Sequence, residues 1–234
     1  ETRTVRIFTT NYCPLNCTFC SSTNFLDMAG GSPNKKFGGN RKEEVGGNNK
    51  TKLAGLSPQS VVDVIINALQ GHPTLKNIFI NDDDFILQKK RVRDFCDILI
   101  DSRKKGVIPE DMSLMCLSRI DDIEDKTLEK MSEAHFKMIG FGVESFSPKI
   151  LKDLNKGIEV DQIHKIVKSV LEHNITPYMN VILFPPSATS EDVLITMENS
   201  INYIERDVQV AIEPFLIPLM GATITHEGYE TVYD

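Results

Sequence analysis

Three cysteines fall within eight residues, Cys13, Cys17 and Cys20, in the run N-Y-C-P-L-N-C-T-F-C. The spacing is C-x-x-x-C-x-x-C, directly after an apolar, strand-like segment, T-V-R-I-F-T-T. Three thiolates this close can hold three corners of an iron–sulfur cube. The fourth iron then has no protein ligand and can bind a small molecule, so the motif is a place to push an electron into one. A structural zinc site normally needs four protein ligands, often as two C-x-x-C-type pairs. Here there is one cluster of three, and Cys96 and Cys116 lie far away inside apolar runs. A disulfide framework fits less well, because five cysteines is an odd count and no secretory or membrane-spanning run is legible. Zinc and inert thiols stand as the alternatives.

The elements that must position these thiols alternate between strand and helix. Residues 4–10 read as the first strand. A polar stretch rich in Gly, Asn and Lys follows, roughly from Asp27 to Gly55. It is expected to be either a lid or a flexible insertion. Ser57 and Pro58 open a helix as N-cap and first residue. Val61, Val62, Ile65, Ile66 and Leu69 form its apolar stripe. N-I-F-I-N is the second strand, and a helix runs from about Lys89 to Lys105. M-S-L-M-C-L-S-R is the third strand, after which Asp125 is expected to cap a helix. M-I-G-F-G-V-E-S is the fourth strand, and residues 160–173 are the clearest helix. Y-M-N-V-I-L-F is the fifth. Ser190 is expected to cap the next helix, with Val193, Met197, Ile201 and Ile204 facing inward. V-Q-V-A-I-E-P-F-L-I-P is the sixth strand. Six strands alternating with helices imply a parallel sheet covered on both faces. Periodicity leaves open a doubly wound sheet and an incomplete barrel.

In parallel strand–helix folds, active sites lie at the carboxyl ends of the strands. The first strand leads into the cysteines. The second ends at Asn81, Asp82, Asp83 and Asp84. The third ends at Ser118 and Arg119, and the fourth at Glu144 and Ser145. The fifth carries Asn180 and the sixth Glu213. Polar strand ends are also what any loop requires. Glu144 and Glu213 stand apart because they sit in apolar strands, where an unpaired carboxylate is costly. The five histidines, His72, His135, His164, His173 and His226, form no ligand spacing and read as surface or cap residues.

The cysteine tripod, with Phe19 just before the last cysteine, resembles the signature of radical S-adenosylmethionine (SAM) enzymes. The resemblance extends from Arg3 to about Thr225. It implies an α/β fold, a partial (β/α)6 TIM-like barrel of parallel strands alternating with helices. It also implies a 4Fe-4S cluster on Cys13, Cys17 and Cys20 whose open iron is chelated by S-adenosyl-L-methionine. Reductive cleavage would give methionine and a 5′-deoxyadenosyl radical that abstracts a hydrogen from the substrate. The electron would come from a donor such as flavodoxin or ferredoxin.

The resemblance also implies site roles. The family's Gly-Gly-Glu motif after the second strand is absent. N-D-D-D-F at 81–85 is similar instead to the D-D-x-F segment of the cobalamin-linked branch. It carries the contact to the methionine amino group onto Asp82–Asp84. G-V-E-S is similar to the fourth-strand motif reaching the ribose or methionine end, here Glu144 with Ser145. Arg119 is the candidate for the methionine carboxylate, a structural salt bridge being its other reading. Phe19, Asn180 and Glu213 complete the expected cofactor-binding set. Leu183-Phe184-Pro185-Pro186 replaces the family's Gly-Phe-Pro turn, and I-P-L-M-G-A-T resembles its Pro-Gly-Thr element. A D-x-H-x-x-G cobalamin loop is absent, so cobalamin would bind through a domain outside this chain.

Composition bounds the rest. The 234 residues, 41% hydrophobic and 25% charged, suit one sizeable soluble domain. A net charge of −7 does not favour nucleic-acid or membrane surfaces. Reduced cysteines suggest a cytoplasmic protein, and a start on a strand without Met suggests a piece of a longer one. Methylthiotransfer, an iron–sulfur electron carrier or sensor, and a zinc-stabilised binding module are the rival functions.

Overall fold

The computed structural model describes residues 3–11, 13–15, 17–22, 53–206, 208–217, 222 and 224. The strands are β1 (Thr4–Ile7), β2 (Asn77–Ile80), β3 (Ser113–Ser118), β4 (Phe136–Glu144), β5 (Thr176–Phe184) and β6 (Gln209–Phe215). The helices between them are α1 (Pro58–Gly71), α2 (Lys89–Lys104), α3 (Asp125–Glu133), α4 (Pro148–Asp153), α5 (Val160–Glu172) and α6 (Ser190–Ile204). A 3-10 turn covers Ile120–Asp122.

All neighbouring strands pair in parallel, in the order β1-β2-β3-β4-β5-β6. A doubly wound sheet reverses its strand order at a switch point. The unbroken order is that of a partial barrel, and it settles what periodicity left open.

One face of the sheet is buried under the helices. Ile78, Ile80, Leu114, Cys116, Ile139, Phe141, Met179 and Val181 point there, against Val62, Ile65, Phe95, Leu99, Leu128 and Val167. Each such side chain contributes roughly 1.5–3 kcal/mol by leaving water. Phe85, Phe95 and Phe136 meet as a three-ring cluster with centroids 5.9 to 6.4 Å apart. The alternate residues, among them Phe79, Met115, Leu117, Tyr178 and Asn180, are only half-buried and line the concave side.

Several sequence expectations are corrected. The first strand stops at Ile7, not residue 10, because Thr10 turns away to bridge Gly55 in antiparallel fashion. Glu124, not Asp125, stands at the N-cap of α3. Thr189, not Ser190, caps α6, forming a capping box with Asp192. The apolar stripe of α6 does not face inward: Val193 is half-buried, and Met197, Ile201 and Ile204 are exposed. The buried face carries Asp192, Thr196, Ser200 and Tyr203.

Hydrogen bonds explain that reversal. Thr196 Oγ1 lies 2.9 Å from Ser145 Oγ and accepts from Phe146 N, and Ser147 Oγ donates to Asp192. Tyr203 stacks on Phe146 and His164. The short helix α4, capped by Ser147 with Pro148 at its first position, lies in the fourth loop without an expected counterpart. The glycine-rich stretch lies outside the described residues, apart from its last three. Most of I-P-L-M-G-A-T and His226 also lie outside them.

Candidate functional site

The cysteine loop leaves β1 and is clamped where it starts. Asp82, buried at the end of β2, accepts from Thr9 through both carboxylate oxygens, at the backbone N and the hydroxyl. Its Oδ1 also accepts from Thr10 N at 3.2 Å. The Thr9 carbonyl accepts from Leu56 N at 2.8 Å and from Arg91 of α2 at 3.1 Å.

Further along, α4 takes over. Thr18 N donates to Leu154 O at 3.1 Å, and Phe19 packs on a small core of Ile150, Leu154, Ala222 and Ile224. The short helix absent from the sequence reading is therefore what seats the cysteine loop.

The turn after α4 carries a second unforeseen residue, Lys156. It is buried, and its Nζ lies 2.8 Å from Glu144 Oε1. The same ammonium sits 5.7 Å from the centre of the Phe19 ring. Glu144 reaches this partner through a register shift at the end of β4 and a left-handed backbone, φ 67°. Bulges of this kind re-aim side chains next to active sites. Gly142 makes the space, since a Cβ there would fall 2.4 Å from Glu144 Oε1 and 2.9 Å from Lys156 Nζ.

Arg119 is buried at the end of β3 and fully engaged. Nε and Nη2 grip the Asp121 carboxylate at 2.9 and 3.0 Å, and Nη2 also donates to the Lys156 carbonyl. Its Nη1 donates to Cys17 Sγ at 3.3 Å. Burial opposes its charge, but the Asp121 carboxylate above all, with the nearby Cys17 and Cys13 sulfurs, outweighs burial and holds its pKa above the ordinary value.

The remaining expected residues divide. Asp84 is buried; its Oδ1 accepts from Ser118 Oγ at 2.6 Å and Arg119 N at 3.3 Å, and its Oδ2 has no hydrogen-bond partner. Burial, with the nearby Asp122 carboxyl, pushes its pKa up to about 7. Asp83 is exposed and accepts from the Ser22 hydroxyl, whose backbone N approaches Cys20 Sγ at 3.5 Å. Ser145 is buried away from the cysteines in the α6 network. Asn180 stands in register with Gly142 on the concave face. Glu213, paired with Ile182, is exposed on the edge strand rather than embedded.

The cysteines lie at this rim. Burial pushes the Cys13 thiol up to about 12, with the charges of Asp84, Cys17 and Cys20 adding to it. Cys20 is also raised, mainly by burial, against the lowering influence of Lys156. The three thiols sense one another's charge and face two buried cations. Cys96 and Cys116 sit in the core, as expected of structural thiols.

A family model described as the radical SAM superfamily matches residues 7–199. The chain belongs to the radical SAM superfamily. An uncharacterized methyltransferase of Pyrococcus horikoshii is 28% identical over 192 residues, 82% of this chain and 35% of that protein. The chain thus spans about a third of the length of that curated relative.

Among solved structures, the radical SAM methyltransferase TsrM of Kitasatospora setae, with tryptophan substrate and the analogue aza-SAM bound, superposes with a TM-score of 0.71. It shares 15% identity over 95% of this chain and 38% of its own. The cobalamin-dependent radical SAM enzyme OxsB, with aqua-cobalamin bound, superposes with a TM-score of 0.63 at 19% identity, over 95% of this chain and 29% of its own. At these identities the two structures bear on the fold alone.

A radical SAM protein needs a reductant, a substrate, a 4Fe-4S cluster and S-adenosylmethionine, and the rim suits that cofactor pair. Three soft thiol donors bind iron, and an arginine N–H is directed at one of the sulfurs. The ligand sulfurs of a cluster bind different irons and need not converge on one point. Among the described residues, no three Cys, His, Asp or Glu side chains are grouped to hold a single metal ion. Among the same residues, no helix is long and apolar enough to cross a membrane.

Proposed function

We propose that this chain is the catalytic core of a methyltransferase-type radical SAM enzyme, with its cluster on Cys13, Cys17 and Cys20. The observation that carries this is the seating of the tripod: Asp82 holds the loop where it starts, α4 holds its middle, and Arg119 meets Cys17. Held by Cys13, Cys17 and Cys20, a 4Fe-4S cluster would supply the electron for reductive cleavage of S-adenosylmethionine.

The chain's own residues bind and orient the sulfonium. Asp83, exposed beside Ser22, and the backbone at 81–84 suit the methionine amino group. Asp82 acts by holding Thr9, and Asp84 by holding Arg119 N. Lys156 supplies positive charge for the methionine carboxylate, and Arg119, already engaged by Asp121, the Lys156 carbonyl and Cys17, adds to the positive potential of the rim at a distance. Glu144 takes the ribose or methionine end and orients Lys156, while Ser145 braces β4 against α6. Asn180 and Glu213 face the substrate on the concave side. Phe19 shields the loop from water.

Cobalamin-dependent methyl transfer is the reaction this reading favours. It is supported by the D-D-x-F resemblance at 82–85, by the methyltransferase relative and by the likeness in fold to OxsB. Cobalamin would be held by a part of the protein outside this chain. The electron donor would be a flavodoxin or ferredoxin, and the net charge of −7 speaks against nucleic acid as substrate.

The deciding experiment is low-temperature electron paramagnetic resonance on anaerobically reconstituted, dithionite-reduced protein. A four-iron signal that changes on adding S-adenosylmethionine is expected. A signal indifferent to it would indicate an electron carrier or sensor and overturn the proposal. A colourless protein containing zinc would overturn it as well.

A further inference from the structure

Resting on the cluster assignment above, we propose that Arg119 is a positioning residue that hydrogen-bonds the Cys17 thiolate and raises the reduction potential of the cluster held there. Arg119 Nη1 stands 3.3 Å from Cys17 Sγ across 102 residues of sequence, and the side chain is buried, 9% exposed.

The guanidinium is held by two partners: Asp121 takes Nε and Nη2 as a fork, and the Lys156 carbonyl takes Nη2 again. The Arg119 backbone N is held separately by Asp84 Oδ1. A salt bridge serving the fold alone would be complete with Asp121. The remaining nitrogen is instead directed at a cluster ligand.

The physical consequence has a sign. Reduction adds one electron and no proton, so the cluster and its thiolates become more negative by one charge. A fixed cation and an N–H···S bond favour the more negative state, and the potential rises. Arginine suits this role because it stays charged at every working pH. Burial keeps the interaction from being screened by water. Hydrogen bonds to cluster sulfurs are among the main determinants of cluster potential. The carboxylates of Asp121 and Asp83, and of Asp84 when it is ionised, lie at the same rim and act in the opposite direction. Arg119 therefore offsets a site that would otherwise be difficult to reduce.

The test is a potentiometric titration of the full chain, reconstituted with iron and sulfide and followed by the paramagnetic signal of the reduced cluster. Arg119→Gln removes the charge. Arg119→Lys keeps the charge but has no planar fork to place an N–H on Cys17. In Arg119→Gln the oxidised-to-reduced ratio at fixed potential should rise about tenfold, which is about 59 mV for a one-electron couple. Arg119→Lys should shift the same way by less. A wild-type midpoint in Arg119→Gln at wild-type iron content overturns the proposal. If Arg119→Gln takes up no iron, Arg119→Lys decides by the same titration: a midpoint below the wild type supports the proposal, and a wild-type midpoint overturns it. If neither takes up iron, Arg119 builds the site rather than tuning it, and the proposal fails. Wild-type protein that binds no cluster would refute the functional assignment instead, before any variant is compared.

Discussion

Lys156 and Glu144 form a buried ion pair at 2.8 Å, with Gly142 supplying the room for both side chains. Breaking such a pair from one side leaves an uncompensated buried charge. Lys156→Met should therefore destabilise the chain by about 3–5 kcal/mol. The double variant Lys156→Met, Glu144→Gln should recover part of that loss. Urea denaturation of the wild type and both variants measures this. Equal stability of wild type and Lys156→Met would show that the pair contributes nothing.

Gly142→Ala tests the same arrangement sterically. Its Cβ would stand 2.4 Å from Glu144 Oε1, so the carboxylate must move. We expect weakened S-adenosylmethionine binding with the cluster retained, read as a smaller change of the paramagnetic signal at a given cofactor concentration. An unchanged response would separate Glu144 from cofactor binding.

Asp82 acts on the cysteine loop through Thr9 and Thr10. Asp82→Ala leaves buried donors unsatisfied, at about 1–3 kcal/mol, and releases the start of the loop. Iron content after reconstitution should fall while the far-UV circular dichroism stays that of the wild type. Full iron loading in this variant would show that the clamp is dispensable.

The Asp84 carboxyl is raised from 3.8 to about 7 in the folded chain. In metal-free protein the native state then binds more protons than the unfolded state between these values. Stability should fall as pH rises from about 4 to about 7 and level off above, with at most about 4 kcal/mol at stake. Asp84→Asn should flatten that slope. Denaturation midpoints across the pH series decide, and a slope identical in the variant would assign the effect to another group.

The reversed face of α6 makes a paired prediction. Ile201 is 50% exposed, whereas Thr196 is 1% exposed and bonded to Ser145 and Phe146. Ile201→Gln should change stability by no more than about 0.5 kcal/mol. Thr196→Val should cost about 1–3 kcal/mol by leaving its partners unsatisfied. The reverse ranking in thermal melts would restore the apolar stripe as the buried one.

The sequence by itself determined what short-range chemistry can determine. The cysteine spacing specified three thiolates in one loop, and the alternation of apolar runs specified six strands and the helices between them. Strand ends named the rim that carries Asp82–Asp84, Arg119 and Glu144. These features survive because period and spacing are local properties of a chain. Tertiary structure alone decided the partners. Strand order distinguished a partial barrel from a doubly wound sheet, since pairing joins residues far apart in sequence. Lys156 gave no signal because a lone lysine after Asn155 reads as solvated, and only the bulge at Glu144 and the vacancy at Gly142 bring its charge inside. The buried face of α6 escapes the sequence for the same reason. Periodicity shows that a helix has an apolar stripe, but burial depends on what lies opposite, and here hydroxyls from the end of β4 lie opposite. Arg119 was legible as a rim cation, but its contact with Cys17 across 102 residues exists only once β3 is folded beside the cysteine loop.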